Sequence, residues 1–242
     1  MEVADVRAVA AIGGVDAVTH PTLFARRAPP AQEGIDPRNC DVSELLPMEG
    51  DLCIADPPWT YEQSAVRGSA ADQYTGLTVA DIAKHLSLIR SKRLVLWITW
   101  PILTGDWPER LDGWGRPKTG GSWMKSGPND SGHFGVGFHW AGCSEPVLIY
   151  GRPNSHTDRG VALRNAWHEA PGTHSRKPVD WMAQMIRKWC PPGGRVVDPY
   201  AGLGAVAEAV LEAGEGRTYL GAEIDPGRPA DALGLLAQWR PR

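Results

Sequence analysis

The sequence has little of what braces or anchors a chain from outside its core. Its four cysteines, Cys40, Cys53, Cys143 and Cys190, lie far apart, with no C-x-x-C and no histidines at finger spacing. A disulfide framework and a structural zinc site are unsupported, and buried free thiols in a reducing cytosol are expected. Long hydrophobic runs are also missing. The opening stretch "MEVADVRAVAAIGGVDAV" is broken by Glu2, Asp5 and Asp16, which fits neither a signal peptide nor a membrane span. The expectation is a soluble, intracellular, cytoplasmic protein with no membrane partner. His133, His139, His156, His168 and His174 include no pair at helical ligand spacing, so no metal site is expected. No internal repeat is present.

Net charge is small as well, at −3, an unpromising balance for binding nucleic acid. The average hides an asymmetry. Residues 87–195 hold 15 Lys/Arg against 8 Asp/Glu, while the rest of the chain holds 10 against 20. Charge segregated in this way can form one basic face on an acidic protein, or be scattered and solvated.

What is present is enough for one well-cored domain: 242 residues, 42% hydrophobic. Residues 1–38 are rich in Ala and Pro and read as an N-terminal arm, with the folded domain over 39–242. From there strands and helices alternate. "LCIA" (52–55), "RLVLWITW" (93–100), "EPVLIYG" (145–151), "RVVDPY" (195–200) and "RTYLGAEID" (217–225) read as strands. Helices are expected over 78–89, behind a Thr cap, over 177–189, and over 204–214, where a glycine ends the run. The pattern predicts an α/β fold with a doubly wound, mostly parallel sheet. Residues 101–144 form a long insertion rich in Gly, Pro and Trp. Its Trp107, Trp114, Trp123 and Trp140, interleaved with Arg116, Lys118 and Lys125, suit either stacking on bases or the closing of a small satellite core. Target recognition is expected from this insertion before the other candidates, the 60–76 loop, the N-terminal arm or a partner chain.

Two motifs carry chemistry. In "VVDPYAGLGAVAEAV" (196–210) a strand ends in Asp198, a turn with Gly202 and Gly204 follows, and a helix starts at once. Glycines let a ligand approach the backbone, and a helix N-terminus offers free N–H groups. The next strand ends in Glu223, placed to bond ribose hydroxyls as in nucleotide-binding crevices. The second motif is "DLCIADPPWTY" (51–61). Two prolines end the ladder and leave an Asp and a Trp at the break: a polar group and a flat ring, suited to a nucleobase.

Taken together, "ADPPWTY", "HSRKP" and "DPYAGLG…YLGAEID" resemble the S-adenosylmethionine-dependent amino-methyltransferases of DNA. Their order is that of the circularly permuted β class, and "DPPW", "QYTGLTVADI" and "EPVLIYGRP" resemble its MT-A70-like adenine-N6 branch. The resemblance spans about residues 39–226 and implies a Rossmann-like class I methyltransferase fold. It implies catalysis by Asp56, Pro57, Pro58 and Trp59. It implies cofactor binding by Asp41, Asp56, Ser175, Lys177, Asp198, Tyr200, Gly202, Gly204 and Glu223, with Asp41 at the adenine and Lys177 near the methionine carboxylate. Trp59, Tyr61, Trp123 and Lys125 are the candidates for substrate binding. The glycine loop departs from the family by having Tyr200 for Phe and by lacking later Ser and Thr hydroxyls.

The implied reaction is methylation of the exocyclic N6 amine of adenine in DNA. That amine is a poor nucleophile because its lone pair is delocalised into the ring. Asp56 and the Pro57 carbonyl would accept its two N–H groups, and Trp59 would stack on a base taken out of its duplex. Cytosine N4, RNA adenine N6 and a non-catalytic nucleic-acid-binding subunit are the alternatives. Asp rather than Ser opening the motif favours adenine over cytosine. The expected partner is nucleic acid, DNA before RNA, and family members often form a homodimer or join a partner subunit.

Overall fold

The computed structural model describes residues 34–60, 76–125, 142–151, 162–169 and 176–228. Its centre is set by strands that have no polar face. In β2 (Leu52–Ala55) and β3 (Arg93–Trp97) every residue is buried, the pattern of strands covered on both sides. Alternate residues supply the two layers. Leu52, Ile54, Val95 and Trp97 pack on one side with α3 (Val179–Trp189) and α4 (Ala205–Ala213). Cys53, Ala55, Leu94 and Leu96 pack on the other with α1 (Val79–Ser87) and α2 (Trp100–Thr104). Side chains that alternate across a strand thus feed two cores from one sequence run.

The sheet has eight strands in the order β1-β8-β7-β2-β3-β5-β4-β6. The others are β1 (Ile35–Asn39), β4 (Thr119–Lys125), β5 (Ser144–Gly151), β6 (Ala166–Glu169), β7 (Arg195–Asp198) and β8 (Thr218–Glu223). All pairings are parallel except those of β5 with β3 and β4. The doubly wound, mostly parallel sheet expected from the sequence is present. From β2 the chain runs through α1 to β3, to one side. From β7 it runs through α4 to β8, to the other side and over the opposite face. The carboxyl ends of the adjacent β2 and β7 therefore border a crevice between diverging connections, where open α/β sheets bind ligands.

Two boundaries differ from expectation. The sheet begins at Ile35, inside the expected arm, because "IDPRN" pairs with β8 along Ile35↔Tyr219 to Asn39↔Glu223. Pro37 is tolerated there because β1 is an edge strand. The expected insertion 101–144 contributes α2 and β4, and β4 completes the antiparallel wing with β5. Among the described residues no helix is long and apolar enough to cross a membrane.

Candidate active site

β7 ends in Asp198, a residue only 1% exposed. It accepts from the Tyr200 backbone N–H and the Tyr219 hydroxyl, both at 3.1 Å. Burial pushes its pKa up to about 7, helped by the nearby charges of Asp56 and Glu223. The turn that follows uses positive φ at Gly202 (+52°) and at Gly204 (+77°), which serves as the N-cap of α4. A Cβ on Gly202 would meet nothing within 4 Å, so this backbone faces open space. Glu223, at the end of β8, ties the turn down by accepting from the Gly202 N–H at 2.7 Å and the Asp225 N–H at 3.0 Å.

Next to Glu223 stands Ile224, 68% exposed, an apolar side chain beside a carboxylate at the crevice. Asp41 follows β1 and caps a 3-10 turn (Val42–Glu44). It accepts from Ser43 N–H at 2.8 Å, and Glu44 reciprocates on the Asp41 N–H at 3.1 Å. Hydrogen bonds from Ser43 hold the Asp41 carboxyl below its ordinary range. The Tyr200 hydroxyl lies 3.2 Å from His85 Nδ1, so the hydroxyl that distinguishes it from Phe has a partner on α1.

One strand away, Asp56 follows directly on β2, with its side chain 37% exposed. Lys177 Nζ, at the entrance to α3, reaches Asp56 Oδ2 at 2.7 Å and Glu145 Oε2 at 3.1 Å. Lys125 Nζ meets the other oxygen of Glu145 at 2.5 Å. The result is a chain of alternating charge, Lys125–Glu145–Lys177–Asp56. Antiparallel pairing explains it: β5 starts, and β4 finishes, at the end where β2 and β3 finish. Burial alone would lower the Lys177 ammonium, but the two carboxylates outweigh it and hold its pKa above the ordinary value. The converse holds for Glu145, where two lysines overcome burial and keep the carboxyl low. For Asp56 desolvation dominates and its pKa is raised, with Lys177 opposing the shift.

Trp59 is 6% exposed, packed edge-on against Trp107 with ring centroids 5.6 Å apart. The indole packs at the corner after the prolines, and the Trp59 backbone forms a parallel bridge with that of Leu77. Trp123 is 0% exposed and lies edge-on to Trp97 in the core, so it is no platform for a base. Its side chain lies on the face of β4 that packs in one layer with Trp97 and the Trp181 side of α3.

Lys125 is engaged with Glu145 and lies 5.3 Å from the Trp123 ring centre. Lys177 turns to two carboxylates rather than standing free for the methionine carboxylate. The Pro58 carbonyl accepts from Leu77 N–H at 2.7 Å, which leaves that of Pro57 as the candidate acceptor beside Asp56. Ser175 and Tyr61 lie outside the described residues. Sequence reasoning did not single out Glu145, His85 or Ile224. For Glu145 the available signal was a lone carboxylate opening an apolar strand.

The glycine turn, the Glu223 carboxylate and the exposed Ile224 suit a nucleoside-bearing cofactor: backbone approach, a ribose acceptor and an apolar surface for a ring. No curated protein sequence matches the chain. Among solved structures, M1.HpyAVI is similar at TM-score 0.58 and 17% identity, over 84% of this chain and 98% of that one. A putative DNA modification methylase of Thermus thermophilus, TTHA0409, is similar at TM-score 0.55 and 20% identity, over 84% and 94%. PvuII DNA methyltransferase (cytosine-N4-specific) is similar at TM-score 0.59 and 11% identity, over 86% and 87%. At these identities the likeness is one of fold. The family model N6_N4_Mtase, described as DNA methylase, matches residues 112–232, half of the 242-residue chain. The chain therefore belongs to the N6/N4 DNA methylase family.

Proposed function

We propose that this protein methylates the exocyclic N6 amine of adenine in DNA, with S-adenosylmethionine as cofactor. The observation that carries the reading is the Asp56–Lys177 pair, 2.7 Å apart, at the end of the strand that neighbours the glycine turn after Asp198. When bound, the cofactor supplies an activated methyl on a sulfonium. Gly202, Gly204, Asp198 and Tyr200 would form its loop, Glu223 would take the ribose, and Asp41 and Ile224 would meet the adenine. Ser175 completes the set.

Asp56 accepts one amine N–H, and the Pro57 carbonyl accepts the other. That geometry draws the nitrogen lone pair out of conjugation, so positioning and electrostatics supply most of the effect. After transfer the nitrogen is cationic and acidic. The Asp56 carboxylate, already beside the amine, is then the group placed to accept that proton. Lys177 keeps Asp56 ionised and oriented until that point. Asp rather than Ser at this position supports adenine over cytosine, although the fold is shared with a cytosine-N4 enzyme.

Incubation with labelled cofactor and separate DNA and RNA, followed by nucleoside mass spectrometry, tests the reading. N6-methyladenine in DNA is expected, and N4-methylcytosine or label only in RNA overturns it. Asp56→Ala is expected to lose about 10²–10⁴ in turnover with cofactor affinity little changed.

A further inference from the structure

A stretch with two prolines lacks two backbone N–H donors, so it is tied down through its carbonyls and side chains. In "PPWT" (57–60) three ties run to one place, the segment "GLT" (76–78) that leads into α1. The Pro58 carbonyl accepts from the Leu77 N–H at 2.7 Å, and the Thr60 hydroxyl donates to the Leu77 carbonyl at 2.9 Å. Between these bonds the backbones of Trp59 and Leu77 form their parallel bridge. The approach is close. A Cβ on Gly76 would stand 2.7 Å from Thr60 Oγ1, 2.8 Å from its Cα and 2.9 Å from its N. Backbone atoms held in a bridge do not give way cheaply, so glycine is the residue that lets the two segments meet. "GLT" is itself fixed. Thr78 caps α1 by accepting from the Asp81 N–H at 3.1 Å, and Ile82 and Leu86, both 0% exposed, seat α1 in the core.

This clasp begins one residue beyond the acceptors of the proposed reaction. Asp56 and Pro57 each precede a proline, which confines both to extended backbone. Their upstream end is fixed by β2, paired with β3 on one side and β7 on the other. The downstream end is held by the bonds to Leu77. We propose that Thr60 and Gly76 are positioning residues, closing a clasp that keeps the Pro57 carbonyl in place beside Asp56. The inference rests on the DNA-methylating reading above, in which those two acceptors hold the amine. Thr60 and Gly76 act through the turn and not on the amine itself. Displacing an acceptor by about 1 Å can cost on the order of 10²-fold in rate.

The test compares wild type with Thr60→Val, Thr60→Ser, Gly76→Ala and the double variant Thr60→Val/Gly76→Ala. Turnover and DNA KM are measured with labelled cofactor, alongside S-adenosylhomocysteine affinity and the thermal midpoint. Thr60→Val is expected to lower kcat about 3- to 10-fold, and Thr60→Ser to recover most of that loss. Gly76→Ala is expected to lower kcat about 10- to 100-fold, with DNA KM and S-adenosylhomocysteine affinity within about twofold of wild type. The double variant is no slower than Gly76→Ala, because both changes open the same clasp. Thr60→Val with wild-type kcat overturns the proposal, whatever its thermal midpoint. So does a change confined to DNA KM, since Thr60 is then a strand contact, or a double variant whose losses add. If Gly76→Ala does not fold, Thr60→Val against Thr60→Ser decides alone. Wild-type protein that methylates no strand overturns the DNA reading and the clasp's role with it. Full turnover in Thr60→Val beside an active wild type overturns the clasp alone.

Discussion

Glu145 sits between two lysines, and that position gives it more influence on the site than its distance from the reaction suggests. It neutralises Lys125 and shares Lys177 with Asp56, at 2.5 and 3.1 Å respectively from the two ammonium groups. Removing its charge leaves two cations close together in a poorly hydrated place, where an uncompensated charge is strongly destabilising. Glu145→Gln is expected to lower stability by about 3 kcal/mol, read as a lower denaturant midpoint. Lys177 would then turn fully to Asp56, lowering the Asp56 pKa and shifting the acid limb of the pH–rate profile downward. An unchanged midpoint and profile would show the carboxylate to be idle. None of this was legible from the sequence, because the ladder joins residues 125, 145, 177 and 56, which meet only through strand pairing.

The turn from β7 into α4 is where local sequence and function coincide most closely. Positive φ at Gly202 and Gly204 restricts both positions, and a Cβ at Gly202 would meet nothing within 4 Å. Gly202→Ala is therefore expected to cost about 1–2 kcal/mol of stability, the price of left-handed backbone for an L-residue. Its Cβ would stand where the cofactor approaches, so cofactor affinity, measured by calorimetry, should fall more than tenfold. Equal affinity would place the ligand elsewhere. This turn was readable because strand, glycines and helix are contiguous. The same was true of β2, whose "LCIA" is bounded as expected at Leu52–Ala55. By contrast β1, β4 and β6 were missed. "IDPRN" and "TGGSWMK" contain Pro or Gly and lack alternation, and they become strands only because a neighbour supplies the ladder.

For the whole molecule, stability should depend on pH through Asp198, packed beneath the crevice. Its folded pKa, about 7, lies above the ordinary carboxyl value, so the native state holds a proton that the unfolded chain has released. This contribution is intact below about pH 4, the unfolded carboxyl range, and is lost as pH rises towards 7. Asp198→Asn copies the protonated form, accepting from the Tyr200 N–H and donating to the Tyr219 oxygen. At pH 8 the variant is expected to exceed wild type by more than about 1 kcal/mol in unfolding free energy, a gap that closes towards pH 4. A gap independent of pH would remove the assignment.

The sequence by itself determined the doubly wound character of the sheet, the two motifs at strand ends and the family they resemble. Each of these is written in contiguous residues whose periodicity and turn chemistry act locally. Tertiary structure decided the rest. It placed residues 56 and 198 on adjacent parallel strands whose connections diverge, which made one crevice of two motifs. It turned Trp59 and Trp123 inward while leaving Trp100 outside. The physical reason is that a tryptophan suits both the filling of a core and the stacking of a base. Which it does depends on the neighbours that cover it, and those come from distant parts of the chain.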